Sequence, residues 1–74
     1  MKYYMAACID SEINSWYPCK SNTLTTAKRE TSLAYNGCYG DAVLKVASSN
    51  DGIGFRLLSA RINMPKSRWV DELA

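Results

Sequence analysis

The sequence predicts an α+β fold, a mostly antiparallel five-stranded sheet with one amphipathic helix on one face, in the order β-β-α-β-β-β. Three observations predict it. Five segments carry continuous or alternating apolar patterns bounded by turn residues. One stretch, after Ser21-Asn22-Thr23, has helical periodicity instead. The connections between successive strands are of the hairpin kind, which makes neighbouring strands antiparallel.

Lys2 to Ile9 is rich in Tyr, Met, Ala and Ile with no breaker, the pattern of a largely buried first strand. Asp10-Ser11-Glu12 is a polar turn, and Ile13 to Lys20 reads as a second strand that closes a hairpin. Pro18 has no N–H to donate to a ladder, so this strand belongs at a sheet edge or carries a bulge. Ser21-Asn22-Thr23 supplies side-chain acceptors for the free N–H groups of a helix start, and a helix is expected over Leu24 to Tyr35. At 100° per residue, Leu24, Ala27, Thr31, Ala34 and Tyr35 fall on its apolar arc. Thr25, Lys28, Arg29, Ser32 and Asn36 fall opposite. Asn36-Gly37 accepts positive φ and ends the helix.

Asp41 to Ser49 is a third strand, in which Ala42, Leu44 and Val46 alternate with Val43, Lys45 and Ala47. Asn50-Asp51-Gly52 predicts a tight hairpin into a fourth strand over Ile53 to Ile62. Its alternation breaks at Leu57-Leu58, and a bulge near Leu57 restores one consistent face. Met64-Pro65-Lys66 is a loop, and Ser67 to Glu72 is a short last strand around Trp69. One helix cannot cover both faces of such a sheet. The uncovered face is expected to carry some of Trp16, Tyr17, Tyr39 and Trp69.

Composition narrows the function classes. The chain is one small domain, residues 1–74, with little room for a deep cleft. It has no His, the side chain that most often does acid–base work or binds a metal at neutral pH. The four glycines fall at turns or strand starts, and no carboxylate pair has a spacing that implies chemistry. No catalytic group, metal or cofactor is therefore expected. Met1 to Cys8 ends in small residues before a cysteine, as lipoprotein cleavage sites do, but the apolar stretch is short and holds two tyrosines. No run approaches a membrane span, so a cytoplasmic protein is expected. Cys8, Cys19 and Cys38 lack metal-ligand spacing and read as small buried residues. Cys19, beside Lys20, is the one local candidate for an activated thiol.

The feature that stands out is Lys28-Arg29 on the outer arc, flanked by Thr25, Ser32 and Asn36, with no acid four residues on from either cation. Both are expected to project freely toward an anionic partner; a merely solvated helix face is the plainer alternative. Further cations at Lys45, Arg56, Arg61, Lys66 and Arg68 lie on the later strands; Arg56 and Arg61 have opposite parity, but the expected bulge puts both on one side, where they form a basic stripe. A net charge of +2 is modest for a dedicated nucleic-acid binder. Cations beside aromatics, at Arg68-Trp69 and at Trp16-Tyr17 near Lys20, keep a small nucleic-acid-binding module as an alternative. A self-associating structural protein, pairing as a homodimer through the open face or an edge strand, is another.

Leu24-Thr25-Thr26-Ala27-Lys28-Arg29, then Ser32 and Gly37, a Val/Leu strand and Arg68-Trp69-Val70-Asp71, resemble a set of small phage and mobile-element proteins with an L-[ST]-x-A-K-R helix and a terminal strand bearing K/R-W. The set includes anti-CRISPR inhibitors of type I-F surveillance complexes, and the similarity runs from Leu24 to Asp71. It implies a non-enzymatic inhibitor in the host bacterial cytoplasm that docks on the backbone subunits of an RNA-guided complex, where basic helix residues block target DNA. Lys28 and Arg29 fall on the motif positions. A lysine and a glutamine of the related helix are replaced here by Leu33 and Tyr35, which thins the basic face, and the connection before the last strand is longer.

Overall fold

The computed structural model describes residues 2–9, 12–13 and 15–71. Its elements are β1 (Lys2–Ile9), β2 (Glu12–Ile13), β3 (Tyr17–Pro18), α1 (Leu24–Ala34), β4 (Val43–Ser49), β5 (Arg56–Ile62) and β6 (Val70–Asp71). The sheet is antiparallel throughout, with spatial order β2-β1-β4-β5-β6, and β3 also pairs with β1. β2 and β3 are two pieces of one edge, so the layer is five strands wide with a single helix, the α+β class expected.

The expected second strand over Ile13 to Lys20 is thus interrupted. It pairs at Cys8↔Ile13 and again at Tyr4↔Pro18, and the Cys19 N–H donates to the Tyr3 carbonyl at 2.8 Å. Pro18 sits on the outermost ladder, where a missing donor is tolerated. Asp10 and Ser11 of the expected turn lie outside the described residues.

The helix begins where its cap chemistry dictates. Thr23 is extended, and its Oγ1 accepts from the Thr26 N–H at 3.3 Å. The last turn closes on Tyr35, and Gly37 takes φ +75° to redirect the chain. Asn63 then clamps this end, its Nδ2 donating to the Tyr35 and Cys38 carbonyls at 2.9 and 2.8 Å.

Ladder register assigns the faces. Ala7 lies opposite Leu44 and Met5 opposite Val46, and this row packs beneath Ala27, Thr31 and Tyr35 of α1. Ala7, Ala27, Leu44 and Val46 are fully buried, as is Thr31, whose hydroxyl donates to the Ala27 carbonyl at 2.7 Å. Small residues at the contact let the helix lie close to the sheet. On the β4–β5 ladder, Val46 faces Ser59 but Ala47 faces Leu57, leaving Leu58 as the extra residue of a bulge. Arg61 and Arg56 therefore pair with Leu44 and Ser48 and share the helix-side face, as the broken alternation predicts.

Other expectations are corrected. Asn50-Asp51-Gly52 does not make a tight hairpin: β5 starts at Arg56, and residues 50–55 form a longer loop. Asp51 organises that loop, its Oδ1 accepting from the Ile53 and Gly54 N–H groups at 2.9 and 3.0 Å. Ala34 is exposed instead of lying on the buried arc, while Lys28 and Ser32 of the expected outer arc are half-buried, each in contact with a side chain from the later strands, Asp71 and Arg61. The last strand is reduced to Val70–Asp71; Glu72 lies outside the described residues. Of the four aromatics expected on the open face, Trp16 stacks on Phe55 beside Tyr4, whose register places it there. Trp69 instead packs on the helix-side core, Tyr39 meets Tyr35, and Tyr17 lies opposite Met5, all on the helix side.

Candidate functional site

The sequence-predicted contact residues do not act as one group. Arg29 and Thr25 are exposed on the outer surface of α1, beside Leu33, which is 71% exposed. Lys28 departs from expectation. Its ammonium lies 2.6 Å from Asp71 Oδ1, and its side chain is only 20% exposed. The acid comes from β6, more than 40 positions away in the chain, so no helical spacing rule reveals it. Asp71 also takes a hydrogen bond from Ser59 Oγ at 2.8 Å. The Lys28 and Ser59 contacts together hold its carboxyl below the ordinary range, with Lys28 the larger influence.

Arg61 is the second cross-link. From β5 it reaches beneath the helix, where Nη1 donates to Ser32 Oγ at 2.7 Å and Nη2 to the Met64 carbonyl at 2.9 Å. Its Nε is buried without a hydrogen-bond partner. Lys28–Asp71 and Arg61–Ser32 therefore fasten the β5-facing flank of α1 to β6 and β5. On the other flank, Glu30 accepts from the backbone N–H groups of Lys20, at 3.0 Å, and Ser21, at 3.1 Å, and from Ser21 Oγ at 2.7 Å. Desolvation raises the Glu30 carboxyl, but these donors outweigh it and the net shift is downward.

Three of the predicted residues do converge. Ser32, Asn36 and Arg61 line a hollow of about 570 Å³ between the end of α1 and the loop after β5, together with Gly37, Gly40 and Asn63. Arg56 and Arg68 are exposed but not adjacent. Arg56 is on the helix-side face at the far end of β5, whereas Arg68 lines an apolar groove of about 340 Å³ with Val43, Ala60, Ile62 and Val70. Arg61 lines that groove as well, so Arg61 and Arg68 come together there, while Arg56 shares the Arg61 face at the other end of β5.

No family model, curated protein or solved structure matches this chain. Among the described residues no group of three or more His, Cys, Asp or Glu converges to hold a metal ion. Among the described residues no helix is long and apolar enough to cross a membrane. The thiols also sort differently from expectation. Cys38 is exposed, while burial first, and then the Glu30 carboxylate, push the Cys19 thiol up to about 11. Cys19 is accordingly protected, the reverse of an activated nucleophile.

Asn63 and Asp71 were missed as site-shaping residues. Asn63 is a loop position in the sequence, with only its place before Met64-Pro65 to draw attention to it. Asp71 follows Trp69-Val70 in the terminal segment that carries the family resemblance, and that motif was the one available hint.

Proposed function

We propose that this chain is a non-enzymatic inhibitor of phage origin that docks on the backbone subunits of an RNA-guided type I surveillance complex and obstructs target DNA. One observation carries the reading: α1 is tied on one flank to β5 and β6 and on the other to the segment that precedes it, and Arg29 stands exposed on its outer surface beside Thr25 and Leu33. A tethered helix presents a cation and an apolar side chain at a fixed place, with little ordering left to do on binding. Such a surface suits a partner whose channel is lined with guide phosphate and acidic side chains, because a guanidinium recognises both with paired hydrogen bonds.

The electrostatic element rests on Arg29, since Lys28 is neutralised internally by Asp71. The test is inhibition of target DNA binding by purified type I complexes, comparing wild type with Arg29→Glu. Loss of inhibition by about tenfold or more is expected, with thermal unfolding unchanged because Arg29 is exposed. Full inhibition by the folded variant removes this face from the mechanism. Absence of inhibition by wild type across type I complexes removes the function.

Direct binding of single-stranded nucleic acid is the second reading, favoured by the Tyr4, Trp16 and Phe55 rings on the open face. Trp16 and Phe55 stack on one another at 5.1 Å, with Tyr4 edge-on to Phe55 at 5.0 Å. Salt-dependent association with DNA or RNA and no protein partner is the result that selects this reading.

A further inference from the structure

The hollow between the end of α1 and the β5–β6 connection holds a half-buried cation with no opposite charge beside it. Arg61 is half-buried, pairs with no carboxylate among the described residues, and engages neutral acceptors, Ser32 Oγ and the Met64 carbonyl. A guanidinium has five N–H donors. Its Nε has no partner and no access to water, an exception to the usual satisfaction of buried polar atoms. Charged groups removed from water ordinarily have an opposite charge beside them, as Lys28 has Asp71.

The surroundings mix polar and apolar side chains: Leu33, Met64 and Pro65 form part of the wall, and Asn63 spends its Nδ2 on the Tyr35 and Cys38 carbonyls, which leaves Arg61, Ser32 and Asn36 as the polar side chains that can turn to a ligand. Asn36 and Ser32 lie on the helix side of the hollow, Asn63 on the strand side, and Gly37 and Gly40 at its rim with φ +75° and +57°. A Cβ at either glycine meets nothing within 4 Å, so the rim is open space. We propose that this hollow is an oxyanion site, taking a carboxylate or phosphate group that the Arg61 guanidinium neutralises and that lets Nε gain a partner through a small rotation of the side chain. The inference deepens the docking proposal, on which its biological meaning rests: the anion is a guide or target phosphate of the complex. Arg61 then supplies the contact that the sequence assigns to Lys28.

The site is testable without the complex. The full chain, labelled with nitrogen-15, is titrated with inorganic phosphate and separately with acetate, against chloride at matched ionic strength. Saturable shifts of the Arg61 Nε–H, the Gly37 and Gly40 amides and the Asn36 side chain are expected, and absent in chloride. Tighter binding of phosphate supports the nucleic-acid backbone as the source, whereas comparable binding of both supports the site but overturns that source in favour of carboxylates. Unsaturable shifts, or shifts spread over all cations, overturn it. Arg61→Gln is expected to weaken binding about tenfold or more. Should that variant fail to fold, Asn36→Asp puts a repelling carboxylate at the exposed rim without disturbing the Arg61 contacts, and unchanged phosphate binding there overturns the assignment. Saturable phosphate binding by a chain that inhibits no complex leaves the site standing and removes the docking role.

Discussion

Neighbouring cations on one helix have opposite fates here. Lys28 is drawn inward by Asp71, while Arg29, 100° further round, remains in solvent. The ion pair has a pH signature. A carboxyl held below its ordinary value contributes stability above that value and loses it as pH falls through the lowered one. Asp71→Asn is therefore expected to lower the melting temperature at pH 7, and the difference from wild type should close below about pH 4. A constant difference from pH 7 to pH 3 contradicts the pairing. The cysteines offer an independent check. Cys38 is exposed, whereas Cys19 is raised to about 11 by burial and then by Glu30. Iodoacetamide at pH 8 is expected to modify Cys38 first and Cys19 only on unfolding, read by peptide mass spectrometry. Because the Cys19 shift is upward, its contribution to stability is complete below the ordinary thiol value of 9.0 and declines as pH rises from there through about 11.

The helix has 11 residues, too few to be stable alone, and it depends on its cap and its tethers. Thr23→Ala removes the acceptor for the Thr26 N–H and is expected to cost about 1 kcal/mol, measured by urea unfolding. A neutral result places the start of the helix elsewhere. The strands show how an irregularity carries consequence: the bulge at Leu58 brings Arg61 to the same face as α1. With regular pairing Arg56 and Arg61, which have opposite parity, could not both lie on that face.

For the molecule as a whole, stability rests on a thin core. The largest fully buried side chains are Leu44, Val46, Thr31 and Ser59, and alanines fill much of the remainder. Leu44 is at the centre of the row beneath the helix, so Leu44→Ala is expected to cost about 2–5 kcal/mol, a large part of the stability of a domain this small. Denaturant unfolding followed by tryptophan fluorescence measures it. A loss under 1 kcal/mol would mean the core collapses around the gap. Because the helix covers only the β1–β4 region, the Arg68 groove, which shares Arg61 with the hollow, and the Tyr4, Trp16 and Phe55 rings lie outside its footprint.

Local chemistry was enough to read the first strand, the start of the helix at Thr23, the broken alternation near Leu57 and the α+β class, because periodicity, capping and parity act over a few residues. The same local rules misjudged the second strand and the Asp51-Gly52 connection, where Asp51 takes its own loop amides as partners and lengthens the turn. They also left Lys28 free. Which cation is neutralised and which is stranded beneath the helix depends on Asp71 and Arg61, which arrive from strands far along the chain. Coulomb attraction acts on separation in space, and that separation exists only once the sheet has brought β5 and β6 alongside the flank of α1.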